Sequence, residues 1–211
     1  MGGDSRSGER DRVKKSKTET EETRRRIVAA AADEVRRKGL AEANMADVMS
    51  AAGLTHGGFY RHFANRDELI EEGVAQAMAM SAKIMADRVD TGGVRRAIEG
   101  YLSTTHRDEA VPRCPYAALG SELARDPELK SRAWEGLSAQ IEAIARNLGR
   151  GDDARDHATV LFALMMGALT LSRLAGNDNE ADRILTVARG AGFALAEEAD
   201  HRAARGEAYG S

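Results

Sequence analysis

Apolar residues that recur at helical spacing between glycine stops constrain the fold of this chain more than any other feature. Two stripes stand out near the C-terminus: Leu161, Leu164, Met165, Ala168 and Leu171, and then Ile184, Val187, Ala188, Ala191 and Leu195. No segment alternates apolar and polar residues as a strand does. Helix-forming Ala, Arg, Glu, Leu and Met dominate, whereas only 4% of residues are aromatic and only 3 are Pro. The sequence therefore predicts an all-α fold.

Composition also limits the class of protein. Of the 211 residues, 42% are hydrophobic and 31% are charged, which is typical of a globular protein. The single cysteine, Cys114, excludes an internal disulfide framework and indicates a reducing compartment. The longest apolar run, 160–171, is shorter than the roughly 20 residues that span a membrane. These features predict a cytoplasmic protein that does not interact with membranes.

The first nineteen residues are almost entirely polar or glycine, and the sequence predicts a disordered tail at 1–19. Lys14, Lys15 and Lys17 form a basic cluster within it, which could reach DNA phosphates or a minor groove. The alternative is a solvated tail without a partner. A helix is predicted to begin near 20–23 and to end at Gly39.

Two short helices are predicted next. Asn44 is a plausible N-cap for the first, which Gly53 ends, and Thr55 is the N-cap of the second, which extends to His62 or Phe63. Two short helices joined by a turn that contains glycine match the helix-turn-helix pattern.

The second short helix carries a cluster of aromatic residues. Phe59 and Phe63, at i and i+4, are expected to face the core. Tyr60 and Arg61 then lie on the opposite side, where DNA phosphates would run.

The segment 52–69, AGLTHGGFYRHFANRDEL, resembles the DNA-binding signature of the TetR/AcrR family of transcriptional regulators. The matching residues are Gly53, Thr55, Gly57, Phe59, Tyr60, His62, Phe63 and Leu69. Asn44 stands where Thr is commoner in the family and Arg66 where Lys is commoner. The resemblance covers about 20–70; beyond it the chain is similar to the family only in length and helicity.

The resemblance implies a three-helix DNA-binding domain at 20–66 and a larger helical domain for effector binding and dimerisation at 67–205. It implies a repressor that binds a pseudo-palindromic operator in double-stranded DNA as a homodimer, through its last two long helices, and is released by a small-molecule effector. A fourth helix, capped by Asn65 and covering 66–88, would carry the motion between the two domains.

The expected DNA contacts come from the resemblance and from the residues themselves: Thr23, Arg24, Asn44, Thr55, His56, Gly57, Gly58, Tyr60, His62 and Arg66. His56 is the leading candidate for reading base edges. Gly57 and Gly58 cost about 2 kcal/mol of helix propensity, which suggests that backbone approaches DNA or a packed helix closely there. For His62, a buried histidine that bridges helices is the alternative.

An effector pocket is predicted in the C-terminal domain from apolar and aromatic residues that could equally be core: Tyr101, Cys114, Tyr116, Trp134, Phe162, Met165 and Met166. Cys114 lies at a helix start next to Arg113, which would lower its thiol pKa and make a redox or electrophile sensor possible. The alternative is a small buried apolar residue.

The histidine and cysteine spacing predicts no metal site, and no cofactor or enzyme motif is present. Two other hypotheses remain. One is a DNA-binding activator or architectural protein without an effector, which would need no cavity of several hundred Å³ in its second domain. The other is an all-α enzyme or adaptor in which 44–63 are only packed helices.

Overall fold

The computed structural model describes the backbone of residues 5–149 and 152–205 and the side chains of 18–55, 57–149 and 153–202. All regular structure within these ranges is helical, which confirms the predicted all-α class. The elements are α1 Ser5–Lys38, α2 Met45–Ala51, a 3-10 helix His56–Arg61, α3 Arg66–Tyr101, α4 Thr104–Arg107, α5 Pro115–Leu123, α6 Pro127–Leu148, α7 Asp152–Leu174 and α8 Asp178–Arg205.

Helix α1 begins at Ser5, well before the predicted start at 20–23. The prediction of a disordered tail is therefore wrong for 5–19, while residues 1–4 lie outside the described part. No proline interrupts this segment, and it is rich in Arg, Lys and Glu, which have high helix propensity. Low hydrophobicity favours disorder, but many of the same residues are good helix formers.

The predicted helix ends are found where their local chemistry requires them. Gly39 has φ +89° and donates its N–H to the Val35 carbonyl at 2.8 Å. Asn44 accepts a hydrogen bond from the Ala46 N–H, and Asn65 accepts one from the Glu68 N–H, both at 2.8 Å. These caps fix where α2 and α3 begin.

Helix α3 contains a break at a pair of glycines. Gly92 and Gly93 have non-helical backbone angles, and Gly93 has φ +67°. The following helical segment ends at Tyr101, because Ser103 caps the separate turn α4 through a hydrogen bond from the His106 N–H at 3.1 Å.

The chain divides into two compact units between Gln76 and Ala77, ten residues after the predicted boundary at 66/67. The start of α3 belongs to the first unit because Leu69 is fully buried in that unit's core. The core cluster consists of Ile27, Val28, Ala31, Val48, Met49, Ala52, Phe59, Phe63 and Leu69.

In the second unit, α7 packs against both α6 and α8. The stretch Asp153–Leu174 is long and apolar enough to span a membrane on length and composition alone, which the sequence analysis did not anticipate. Here Leu161, Phe162, Met165 and Leu169 are buried, as in the core helix of a helical bundle.

Candidate functional site

The turn of the helix-turn-helix motif is built around Gly53. Its φ is +74°, a left-handed conformation that favours glycine, and the next residue, Leu54, donates its N–H to the Met49 carbonyl at 2.9 Å. The Arg26 guanidinium donates to the Ala52 carbonyl at the end of α2. Arg26 of α1 thus hydrogen-bonds to the backbone at the start of the turn and stabilises it.

The segment after the turn is a 3-10 helix, His56–Arg61, and not the α-helix to His62 or Phe63 that the sequence predicted. Adjacent Gly57 and Gly58 weaken α-helix formation, and a tighter 3-10 segment is common in short pieces. Thr55 occupies the N-cap position as predicted. Its hydroxyl makes no capping hydrogen bond, and its carbonyl accepts one from the Gly58 N–H at 3.0 Å.

The aromatic residues of this segment separate as predicted. Phe59 and Phe63 are buried, with ring centroids 5.8 Å apart. Tyr60 is 75% exposed, and its ring meets the Phe59 ring edge-on at 5.1 Å. Tyr60 is therefore a large exposed aromatic residue that packs on a buried phenylalanine.

The two glycines of this helix have different surroundings. A Cβ atom built at Gly57 meets no atom within 4 Å, whereas one at Gly58 lies 3.7 Å from the Met49 side chain. Neither residue has a positive φ. Nothing within the described residues requires glycine at position 57, and the space beside its backbone is open.

Arg24 makes contacts within the protein rather than facing outward. Its guanidinium donates to Glu68 at 3.0 Å and to both oxygens of Glu72, and it lies 4.4 Å from the Phe63 ring centroid. Hydrogen bonding to Glu72 raises the pKa of Arg24. Arg24 thus joins α1 to the start of α3, and its contact with phosphate remains a prediction.

Arg66 has a similar structural role. It donates to the carbonyls of Leu40 and Ala43 and so fixes the loop between α1 and α2. Asn44, in that loop, remains exposed beside its cap, and Thr23 is half-buried. The side chain of His56, the residue expected to read bases, lies outside the described side chains.

His62 is half-buried at the end of the 3-10 helix. Its carbonyl accepts a hydrogen bond from Arg24 Nε at 3.3 Å, and its Nδ1 is buried without a hydrogen-bond partner among the described residues. Its surroundings combine features of both predicted roles, because it touches the core and also borders the exposed face.

Most of the predicted effector residues do lie together in the second unit. The Tyr101 hydroxyl donates to Cys114 Sγ at 2.9 Å, and the Phe162 ring lies 6.0 Å from Tyr101 and 6.1 Å from Tyr116. Met165 is buried nearby on α7 and Met166 is half-buried.

Trp134 does not belong to this group, because it is 58% exposed. The buried face of α6 carries Leu129, Ala133, Ile141 and Ile144, and Trp134 projects from another side of the helix. The prediction that Trp134 lines an internal pocket is wrong, because its side chain lies on a solvent-exposed side of α6.

The cavity beside Tyr101 and Cys114 is small. Its volume is about 10 Å³, the space of roughly one water molecule. This is far below the several hundred Å³ expected for an effector pocket. In the described state, these side chains fill the space that an effector would need.

Cys114 does not have the environment of a reactive thiol. It is buried, and burial raises its pKa even though Tyr101 donates a hydrogen bond to its sulfur. The predicted effect of the helix start and of Arg113 is outweighed by desolvation. The geometry therefore favours the alternative of a small buried residue.

Sequence reasoning named Arg113 only as a neighbour of Cys114 and missed the other polar residues around the same cavity: Ser81, Arg88, His106 and Gln140. The sequence contains one indication of this cluster, because Gln140 is a polar residue on the otherwise apolar buried face of α6, between Ala133 and Ile144. The others come from separate segments that only the fold brings together.

Comparisons with known proteins agree with the geometry of the first unit. Residues 27–72 match the family model described as bacterial regulatory proteins, tetR family. The HTH-type transcriptional regulator TtgR of Pseudomonas putida is 39% identical over 59 residues, and the probable HTH-type transcriptional regulator ArpR of the same species matches equally well. The matched segment spans 28% of this chain and 28% of each relative.

Solved structures share the fold over most of the chain. A TetR-family transcriptional regulator from Cytophaga hutchinsonii has a TM-score of 0.68 at 20% identity, and the match covers 83% of this chain and 96% of that one. The reduced form of E. coli NemR has a TM-score of 0.65 at 17% identity, with coverage of 80% and 96%. The relatives that match in sequence are transcriptional regulators, and the part of this chain that is similar to them and to the tetR family model is its N-terminal segment.

Proposed function

We propose that this protein is a cytoplasmic transcriptional repressor that binds a pseudo-palindromic operator as a homodimer and leaves DNA when a small molecule binds its second unit. The observation that carries the proposal is the surface of the 3-10 helix. Tyr60 is exposed above buried Phe59 and Phe63, and beside it Gly57 opens the backbone to close approach.

This surface suits a DNA groove better than a protein core. The exposed face includes Thr55, with no capping bond on its hydroxyl, and the charged Arg61. Hydroxyl, phenol, guanidinium and free backbone N–H groups are the donors that position a protein on phosphates. Arg24 and Arg66, by contrast, stiffen the scaffold behind that face.

Dimerisation is supported by an apolar surface on the last two helices. Leu171 and Leu174 of α7 and Val187 of α8 are all more than half exposed. Between α7 and α8 runs a groove lined by small and apolar residues, among them Gly167 and Ala191. Exposed apolar patches on helices of this length are typical of contact surfaces, and a second copy would cover them with a four-helix bundle.

The cavity beside Tyr101 and Cys114 is far smaller than the several hundred Å³ expected of a repressor with an effector, so an effector cannot enter it in the described state. Release requires a second conformation with a larger cavity, which an effector stabilises by binding it better than the described state. The sign of regulation is tested by expression from a promoter that carries the bound site.

Selection of genomic fragments by the purified protein, followed by footprinting of the strongest, tests DNA binding. Tyr60→Ala is expected to weaken binding several-fold to about tenfold, because it removes an exposed contact from the reading face. Trp134→Ala removes another exposed aromatic residue, from the second unit, and is the matched control. Equal binding by both variants, or no selected fragment, contradicts the proposal.

The oligomeric state is tested separately by sedimentation. Val187→Glu places a charge on the apolar face of α8 and is expected to shift the protein toward monomer. Ala139→Glu adds the same charge at an exposed position of α6 and should leave the dimer intact. If both variants sediment as the wild type does, the interface lies elsewhere.

A further inference from the structure

The second unit contains a polar cluster that its own residues do not complete. Side chains from α3, α4, the loop before α5, and α6 line one small cavity: Ser81, Arg88, His106, Arg113 and Gln140, next to Cys114. Polar groups this deep normally pair with one another or with ordered water. Here several do not.

Two nearly fully buried side chains have unpaired nitrogens. Gln140 is 1% exposed, and the Ser81 hydroxyl donates to its Oε1 at 3.4 Å. Its Nε2 and the neighbouring Tyr116 hydroxyl each lack a hydrogen bond of good geometry among the described residues, although burial raises the pKa of Tyr116 and Gln140 offsets part of that rise. His106 is 3% exposed, and its Nδ1 donates to the Tyr101 carbonyl at 2.7 Å. Because a carbonyl only accepts, the neutral ring leaves Nε2 as a bare acceptor, and that atom has no partner in the described part of the chain.

Positive charge around the cavity exceeds negative charge. Arg113 pairs with Glu109. Arg173 donates to the carbonyls of His106 and Arg107, at 3.0 and 3.2 Å, rather than to a carboxylate. The Arg88 guanidinium has no ion pair within the described part of the chain, and burial together with the charge of Arg113 lowers its pKa, which the carboxylate of Glu109 offsets only in part.

A partly buried guanidinium is costly when the nearest carboxylate, Glu109, is paired with another arginine, and an added anion would complete it. Gln140 Nε2 offers a neutral donor at the same cavity, and His106 Nε2 can accept a hydrogen bond from a hydroxyl group or a water molecule. Apolar Ile84 and Met85 also line the cavity, as an organic tail requires. The chemistry therefore matches a carboxylate on an apolar frame better than a neutral or cationic molecule.

We propose that Arg88 and Gln140 form the subsite that binds the carboxylate of an organic-acid effector. This inference rests on the proposed function, since it names the chemical class of that effector. The cavity of about 10 Å³ admits only a water in the described state, so the acid binds after the cavity has widened. The unpaired groups favour that widening, because the ligand gives them partners.

The test uses the full chain without DNA and three probe acids, acetate, benzoate and octanoate, each compared with its own amide at equal ionic strength. Thermal unfolding and calorimetry measure binding. At least one carboxylate is expected to raise Tm where its amide does not. Arg88→Met and Gln140→Leu are each expected to weaken that binding at least about tenfold, as for a lost charge-assisted hydrogen bond.

Lys83→Met is the matched control, because Lys83 lies on the same helix and is exposed in an ion pair with Asp87. It should retain the response. The inference is overturned if no carboxylate binds better than its amide, or if the control loses binding as the two cavity variants do. Two variants are used because either alone could impair folding, and each should unfold cooperatively.

Operator binding separates this inference from the proposed function. If the protein binds DNA but no carboxylate binds the protein, the function stands and the organic-acid site is wrong. If a carboxylate binds through Arg88 and Gln140 but leaves operator affinity unchanged, the site stands and its role in release is wrong.

Discussion

The two units of this protein treat buried and half-buried polar groups in opposite ways. In the first unit, Arg24 is bound by Glu68 and Glu72, and Arg66 is bound by loop carbonyls. In the second, Arg88 and Gln140 line a small cavity, and Gln140 Nε2 has no hydrogen-bond partner among the described residues. The two arginines of the first unit are thus paired within it, although His62 Nδ1 there has no partner among the described residues, whereas Arg88 of the second unit has no ion pair among them.

This difference follows from where each unit is proposed to bind. A surface that reads a rigid duplex needs a scaffold fixed before contact, so its arginines are used to hold helices and loops in position. A unit that responds to a small molecule needs a conformation that the molecule stabilises by binding. Unpaired internal polar groups allow this, because the ligand can form hydrogen bonds with them. Cationic side chains therefore have structural roles in the first unit and, by our proposal, a binding role in the second.

The largest expected effect is on the core beneath the reading face. Phe63→Ala should lower the free energy of unfolding by about 3–5 kcal/mol, because it removes a buried ring that packs on Phe59 and under Arg24. Tyr60→Ala, at an exposed position of the same segment, should change it by no more than about 0.5 kcal/mol. Urea unfolding measures both. A similar loss for the two variants would show that the aromatic cluster is not divided into core and surface.

The second prediction concerns pH and the incomplete unit. Burial lowers the pKa of His106 to about 4, and the charges of Arg173, Arg88 and Arg113 add to this effect. The unfolded chain takes up this proton near pH 6.5 but the folded chain does not, so stability falls as pH drops from about 6.5 to about 4. The full difference is about 3 kcal/mol at the acid end.

His106→Asn can keep the hydrogen bond to the Tyr101 carbonyl without a titrating ring. Its unfolding free energy, measured from pH 7 to pH 4, should therefore fall less than that of the wild type. Equal pH slopes would mean that burial does not hold His106 neutral, and its Nε2 would then not be a hydrogen-bond acceptor in the cavity.

The sequence was sufficient for features governed by local chemistry. Asn44, Asn65 and Gly39 each act on neighbouring backbone, and the i,i+4 spacing of Phe59 and Phe63 set their common burial. The family motif at 52–69 predicted the same helix-turn-helix independently of these local rules.

Long-range features were not predictable in this way. Arg24 and Arg66 carry charges typical of phosphate contacts, and only the fold shows that Glu72 and the Leu40 carbonyl already occupy them. The exposed position of Trp134 and the convergence of Arg88 with Gln140 likewise depend on how helices pack. A composition rule that associates polarity with disorder also failed at the start of α1, where propensity favours a helix.

The third prediction separates structural from DNA-facing arginines. Arg61 is exposed, whereas Arg24 is held by two glutamates. Operator affinity should fall steeply with salt, and Arg61→Gln should reduce the slope of log affinity against log salt by about 1, as expected for one lost phosphate contact. Arg24→Gln should lower stability and leave the slope unchanged. Titrations at several salt concentrations measure this, and a reduced slope for Arg24→Gln would return that residue to the DNA surface.

The smallest effects are expected at two glycines of the helix-turn-helix motif, and they have opposite signs. Gly57→Ala should stabilise the protein by about 0.4–1 kcal/mol, because position 57 has no positive φ and its Cβ would meet open space. Gly53→Ala should destabilise it by more than that, because φ is +74° at the turn. Yet Gly57→Ala should bind the operator less tightly, since the new methyl group occupies the surface that backbone and DNA would share. A more stable variant that also binds DNA as well as the wild type would mean that Gly57 is not where DNA approaches closely.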